Sequence, residues 1–380
     1  MTGKSQKRPD AAEGSEQQVL QKRSHFSQEQ IRQMADILPG WYRMCGRVLP
    51  WREGRNPYKI WVSEIMLQQT RIEAVRPYYD RFIKELPDIP SLANISEDRL
   101  LKLWEGLGYY SRARNLKKAA QVLMEQYGGT MPQDYQALLN LPGIGHYTAG
   151  AIASIAFQIP VPAVDGNVLR VLSRVCESRE DIQKQAIRRE AEDALTAGIP
   201  NDPGTFNEAL MELGETICLP GHTPLCETCP LSSVCLGRKN GIAGELPVRA
   251  EKKPRRIEEK TILLLVHDGK VGVRKRPEAG LLAGMYEFPA LEGKLTVEEV
   301  FLRIGREYAI RTEYPPIELG ETRHIFTHVE WHMTGYLFMV EEAKGLVFAT
   351  AEKLSDKYAL PGAFQFYRKK ALQILEGVIQ

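Results

Sequence analysis

The chain has 380 residues, enough for two full cores, with 43% hydrophobic and 26% charged residues, as in an ordinary soluble protein. A net charge of +2 excludes an overall basic nucleic-acid binder, so any basic surface must be local. The uncharged run from Tyr147 to Val164 contains Gln158, Pro160 and Pro162 and does not read as a membrane span, and the polar N-terminus has no secretory signal, so an intracellular protein is expected, cytoplasmic or nucleoid-associated if bacterial.

Residues 1–26 lack apolar periodicity and read as a disordered tail. Ser27 and Gln30 suit a capping box for a helix from Gln28, interrupted at Pro39-Gly40 and resumed over Trp41–Val48. Helical patterns then follow over 58–68, 71–84, 96–105, 111–126, 134–140, 147–157, 167–176, 184–196 and 204–217, giving an all-α domain over 27–236. Residues 237–256 are rich in Gly, Pro and charge and read as a linker. From Lys260 the apolar period changes to two, with strands over 261–267, 270–276 and 331–340 and helices near 296–308 and 362–376. Residues 257–380 are therefore expected to form a smaller α+β domain.

The most specific stretch is Leu141-Pro142-Gly143-Ile144-Gly145, between two helical patterns. Gly143 and Gly145 suit a tight hairpin whose backbone approaches an external group, and the following helix start would offer N–H groups to a phosphate. An ordinary helix–helix turn is the alternative. Asp165 follows the long uncharged segment and precedes Val168-Leu169-Arg170-Val171. It reads either as a helix N-cap or as a free carboxylate, with Asn167 then capping. Glu64 shares a helix face with Ile60 and Leu67. Partly desolvated there, it would favour its protonated form and serve as a general acid; a surface-edge Glu is the other reading. Two carboxylates flanking a glycosidic bond suit oxocarbenium-type hydrolysis.

Cys218, Cys226, Cys229 and Cys235 are separated by seven, two and five residues. Four thiolates in 18 residues suit a [4Fe–4S] cluster or zinc. Cys45 and Cys176 lie in helical patterns as core residues.

Hairpin, Gly/Pro-rich loop and Asp165 together resemble the helix-hairpin-helix DNA glycosylase superfamily. Its endonuclease III-like members hold a [4Fe–4S] cluster with six, two and five intervening residues; here the first interval is one longer. Bifunctional members carry a Schiff-base Lys where this chain has Tyr147, so a monofunctional enzyme is implied. The strings Leu49-Pro50-Trp51-Arg52, Ser63-Glu64-Ile65-Met66-Leu67-Gln68-Gln69-Thr70, Gly106-Leu107-Gly108-Tyr109-Tyr110-Ser111-Arg112-Ala113-Arg114 and Phe206-Asn207-Glu208-Ala209-Leu210-Met211-Glu212-Leu213-Gly214 resemble MutY-type adenine DNA glycosylases over about residues 28 to 376. The resemblance implies removal of adenine mispaired with 8-oxoguanine or guanine in double-stranded DNA by a monomeric base-excision repair enzyme. Glu64 would protonate adenine N7 and later help place water, and Asp165 would stabilise the oxocarbenium ion or form a transient adduct. Tyr147 and Asn167 would support them. Arg52 and Glu208 would contact adenine, and Gln69 and Tyr109 would enter the duplex. Thr70, Leu107, Gly143 and Gly145 complete the implied DNA-binding set. Without the resemblance, Tyr109 and Tyr110 read equally as core, and Arg112 and Arg114 either face phosphate or sit at a solvated helix start.

In the second domain, Gly280 to Pro289 (GLLAGMYEFP) and Ala359-Leu360-Pro361 resemble a Nudix-like fold. The acidic Mg²⁺-binding helix of active hydrolases is absent from 299–309, EVFLRIGREYA, which opposes pyrophosphatase activity. The family's lesion-sensing Phe-Ser-His loop corresponds to Phe326-Thr327-His328, with one added methyl. Arg249 to Lys260 carries six basic and three acidic residues and reads as a solvated connector or a DNA contact. The whole is expected to be a helix-hairpin-helix glycosylase domain with a [4Fe–4S] loop, followed by an α+β Nudix-like domain. The competing functions are an endonuclease III-like glycosylase/lyase for oxidised pyrimidines and a non-catalytic Fe–S damage sensor.

Overall fold

The computed structural model describes residues 24–250, 254–310, 312, 314–341 and 343–377. Most of the expected tail, residues 1–23, lies outside the described residues, as do 251–253 of the expected linker. Phe26 is buried, and Ser24 and His25 bond to Glu190.

The helical part comprises α1 (Gln28–Cys45), α2 (Pro57–Leu67), α3 (Ile72–Glu85), α4 (Ile89–Asn94), α5 (Glu97–Leu103), α6 (Ser111–Tyr127), α7 (Tyr135–Leu139), α8 (His146–Ala151), α9 (Gly166–Val175), α10 (Gln185–Gly198), α11 (Pro203–Thr216) and α12 (Leu236–Lys239). Helix α1 runs unbroken through Pro39, contrary to the expected interruption. The ring removes one N–H, but Pro39 is buried against neighbouring helices, and that packing outweighs the local cost. Helix α2 is started by Pro57 and capped by Asn56, whose side chain accepts from the N–H groups of Tyr58 and Lys59. Tyr58 and every residue from Ile60 to Met66 are buried, so α2 lies inside the domain with no solvated face.

The hairpin joins α7 to α8. Gly143 has φ +77°, and a Cβ there would lie 2.6 Å from Asn115 Cβ, so the turn requires glycine. Gly145 has an ordinary φ of −99° and caps α8, with nothing near a would-be Cβ. Its missing side chain leaves the helix start open instead of enabling the turn. Helix α8 continues into a π-helical turn, Ile152–Ala156.

The C-terminal part holds one mixed seven-stranded sheet. Its strands are β1 (Arg256–His267), β2 (Lys270–Lys275), β3 (Tyr286–Glu287), β4 (Ala290–Glu292), β5 (Ile317–Ile325), β6 (Val329–Met339) and β7 (Val347–Ala349), with helices α13 (Val297–Tyr308), α14 (Ala351–Asp356) and α15 (Gln365–Leu375). The path is β3-β2-β1-β6-β5, with β1 parallel to β6. Ile262, Leu264 and Val266 pack with Tyr367 and Ala371 of α15, while Leu263 and Leu265 pack with Val300 and Ile304 of α13. Alternation along β1 thus feeds two cores, one on each face of the sheet. The fold is a helical domain followed by an α+β domain. No helix among the described residues is long and apolar enough to cross a membrane.

The two parts meet at the segment from α5 to the start of α6. Glu105 accepts from Leu360 N at 2.9 Å and from Arg368 Nη1 at 2.9 Å, and Lys102 Nζ donates to Tyr358 O at 3.2 Å. Met285 and Ala359 of the C-terminal part sit in the helical core.

Candidate active site

One cleft of about 1050 Å³ is lined by Glu64, Tyr147, Asp165, Asn167, Arg52 and Glu208, with Gln69 and Thr70 also on its wall. These side chains come from α2, α8, the start of α9, α11 and the Pro50–Arg55 turn.

Glu64 is only 6% exposed, so the reading of a surface-edge glutamate is excluded. Its backbone N–H belongs to a helix interior and its side chain has one close donor, Tyr147 Oη, 2.6 Å from Oε2. Burial pushes the carboxyl up to about 7, opposed by Tyr147 and reinforced by the charge of Asp165. Burial and the neighbouring carboxylates raise the Tyr147 phenol well above its usual value, so this hydroxyl is a donor at neutral pH.

Asp165, and not Asn167, is the N-cap of α9. Its Oδ1 accepts from Asn167 N at 2.9 Å and Val168 N at 2.8 Å. Oδ2 has no partner among the described residues, so one oxygen caps the helix while the other stays free in the cleft. Burial raises its pKa, opposed by those two backbone N–H groups and by Arg170 and Arg188. Asn167 Oδ1 accepts from Arg170 Nη2 at 3.0 Å, and Arg170 Nε reaches Cys218 O at 2.8 Å.

Arg52 donates from Nη1 to Glu212 Oε2 at 2.8 Å and stands 3.8 Å from Glu208 Oε1. Glu212 also accepts from Arg47 and is fully buried between the two arginines. The sequence reading missed Glu212 and Arg170. A signal existed for each: Glu212 lies four residues after Glu208, and Arg170 three after Asn167, both spacings of one helix face.

Gln69 and Tyr109 have φ of +59° and +49°, left-handed values that are costly for side chains of this size. Both loops are held by Arg112, whose guanidinium donates to the carbonyls of Ile65, Met66, Gln68, Leu107 and Gly108. Arg112 is therefore a buried pin and not a phosphate contact. Arg114 is likewise engaged by Glu97 and by the Ala283 carbonyl. Tyr109 is 46% exposed, whereas Tyr110 and Leu107 are buried, and the Leu107 backbone is spent on the Trp104 carbonyl and on Arg112. Phe326-Thr327-His328 forms the turn between β5 and β6, and Thr327 Oγ1 lies 3.1 Å from Tyr109 Oη. The structure thus joins the two halves of the expected DNA-binding set.

Cys218, Cys226, Cys229 and Cys235 line one small cavity with Arg174 and Arg238, and no His, Asp or Glu shares it. Arg174 Nη1 stands 3.3 Å from Cys218 Sγ and donates to the Leu219 carbonyl, while Nη2 donates to the Gly221 carbonyl. An all-sulfur donor set beside two cations fits an anionic metal–thiolate group. Among the described residues no group of three His, Cys, Asp or Glu side chains is arranged to hold a metal ion as placed. Cys45 is exposed at the end of α1, so its expected place in the core fails, whereas Cys176 is half-buried and packs against the core formed by α9 and α11.

Residues 62–196 match the family model of HhH-GPD superfamily base excision DNA repair proteins, and residues 261–370 match a NUDIX domain. An adenine DNA glycosylase of Mus musculus is 34% identical over 367 residues, covering 80% of this chain and 70% of that protein. The Homo sapiens adenine DNA glycosylase is 33% identical, with 83% and 69% covered. That of Buchnera aphidicola subsp. Schizaphis graminum is 30% identical, with 90% and 97% covered. By these similarities the chain belongs to the adenine DNA glycosylase family.

Proposed function

We propose that the chain is a monofunctional DNA glycosylase that hydrolyses the N-glycosidic bond of adenine mispaired with 8-oxoguanine or guanine, leaving an abasic site. The reading rests chiefly on one observation: at the head of α8 a tyrosine, which has no amine for a Schiff base, donates to Glu64 at 2.6 Å in the cleft that Asp165 shares. Neutral Glu64 gives its proton to adenine N7, and the C1′–N9 electron pair leaves with the base. The Asp165 carboxylate faces the resulting oxocarbenium ion, and water adds to C1′ as Glu64 takes back a proton. Arg52 and Glu208 border the adenine, and Asn167 with Tyr147 orients the two carboxyls. Gln69 and Tyr109 fill the duplex where the base is extruded, with Thr70 and Leu107 in the loops beside them. Gly143 and Gly145 bring the hairpin to a phosphate. Phe326, Thr327 and His328 read the opposing 8-oxoguanine.

Cys218, Cys226, Cys229 and Cys235 would hold a [4Fe–4S] cluster, which when bound would tie the loop after α11 to α9. The partner is duplex DNA carrying the mispair, met as a monomer in the compartment that holds the DNA. The test is single-turnover cleavage of a labelled duplex with adenine opposite 8-oxoguanine. Breakage only after hot alkali is expected. Breakage without alkali restores a lyase, and intact strands in both arms overturn the substrate.

A further inference from the structure

The cleft wall carries arginines in two different states. Arg47 and Arg52 are neutralised by Glu212 and Glu215, and Arg170 spends its donors on the Cys218 and Gly214 carbonyls and on Asn167. Arg188 and Arg249 line the same cleft, are exposed, and have no ion pair or side-chain hydrogen bond among the described residues. Both share the cleft with Asp165: the charge of Arg188 acts on the Asp165 carboxyl, and that of Arg249 on Arg170 of α9.

Arg249 does not belong to the helical core. It is brought to the cleft by the chain leaving the helical domain, and that chain is strapped down. Arg174 Nε holds Leu246 O at 2.9 Å, Ile182 N donates to Val248 O at 3.3 Å, and Gln183 Nε2 to Ala250 O at 3.2 Å. Residues on both sides of Arg249 are therefore fixed to the helical domain, with its guanidinium left over. Two held cations without a protein anion, beside a cleft built for an extruded nucleotide, are matched by the phosphates that flank that nucleotide.

We infer that Arg188 and Arg249 grip the backbone phosphates of the strand carrying the extruded adenosine, so that the connector between the domains is part of the catalytic cleft's DNA-binding surface. This rests on the glycosylase reading above. The grip forms only where a nucleotide has left the stack, because only that nucleotide's flanking phosphates are drawn to the Asp165 side of the cleft.

The test is equilibrium binding of Arg188→Gln, Arg249→Gln and the double variant between 50 and 200 mM salt, conditions in which phosphate contacts are read as the slope of log K against log salt. Two duplexes are compared, one with a non-cleavable adenosine analogue opposite 8-oxoguanine and one fully paired. On the analogue duplex the slope is expected to fall by about 0.9 per arginine and about 1.8 in the double variant, with little change on the paired duplex. Arg188→Lys and Arg249→Lys keep the charge and should restore the slope, which separates a lost contact from misfolding. Arg32→Gln, on the outer face of α1, leaves it unchanged. An unaltered slope in the double variant, or an equal loss on both duplexes, overturns the grip. Failure of the glycosylase reading is seen separately, as wild-type protein that releases no adenine and binds both duplexes alike.

Discussion

The middle of α2 and the first turn of α9 each present one carboxylate to the same cleft, and burial works against ionisation at both. What opposes burial differs. Within a helix every backbone N–H is already given to a carbonyl one turn back, so Glu64 has only the Tyr147 hydroxyl and the distant charge of Arg52 to support a negative charge. At a helix start the N–H groups are unspent, so Asp165 receives two of them, together with Arg170 and Arg188. Position along a helix therefore separates the two acids: at Asp165 two backbone N–H groups and two arginines oppose the upward push of burial, whereas mid-helix Glu64 is pushed up to about 7. Hydrolysis of a glycosidic bond needs one group of each kind.

The sharpest way to break this comparison is to remove the charge while keeping the cap. Asn is as good an N-cap as Asp, so Asp165→Asn should melt within a degree or two of wild type. Its rate of adenine release should nevertheless fall by at least about 10²-fold, the scale of losing one electrostatic stabiliser in a closed site. Glu64→Gln should fall by about 10²- to 10⁴-fold, since it has no proton to give. Single-turnover kinetics with thermal melting on the same samples decide it. An Asp165→Asn enzyme of normal rate would reduce Asp165 to a structural cap.

The order of helices and the change to two-residue periodicity near Lys260 were legible because each depends on local pattern, whereas the residues of the cleft came chiefly from the family resemblance, spacing alone leaving Glu64 open to a surface edge and Asp165 to a cap. Strand β5 and helix α4 were not, since their apolar residues are too few and too interrupted to show a period. Arg112 was misread for a different reason. An arginine at a helix start looks like a phosphate ligand, and only the folded chain shows five carbonyls converging on it. The seam at Glu105 joins residues more than 250 positions apart, and no local signal announces such a contact. The choice between cap and free carboxylate at Asp165 was a false opposition, because its two oxygens divide the roles.

A smaller effect sharpens the mid-helix half of the comparison. Glu64 has a folded value of about 7 against an ordinary 4.5, so the protein binds its proton more tightly folded than unfolded. Stability from this group is thus fully present below about pH 4.5, is lost as pH rises towards 7, and stays lost above it. The loss is about 3 kcal/mol from the linkage of pKa to free energy. Urea unfolding of wild type and Glu64→Gln should therefore give a more stable glutamine variant at pH 8, with the gap narrowing at pH 5. A gap independent of pH would mean that Glu64 is not held neutral by the fold.

The smallest expected change has the least obvious sign. Tyr147 Oη donates to Glu64 Oε2 and so favours the charged carboxylate, holding the Glu64 pKa below what burial alone would set. Wild-type activity should fall as pH rises through about 7, where Glu64 loses the proton it must donate. In Tyr147→Phe that descent should move to higher pH, because the remaining environment disfavours the anion still more. The plateau rate below it should drop by roughly tenfold as the carboxyl loses its orienting partner, a modest loss beside those of the two acids. A pH–rate profile of single-turnover adenine release separates the two effects on one curve. If the descent moves to lower pH instead, Tyr147 stabilises the protonated acid, and the neutrality of Glu64 depends on that one hydroxyl instead of on its place inside α2.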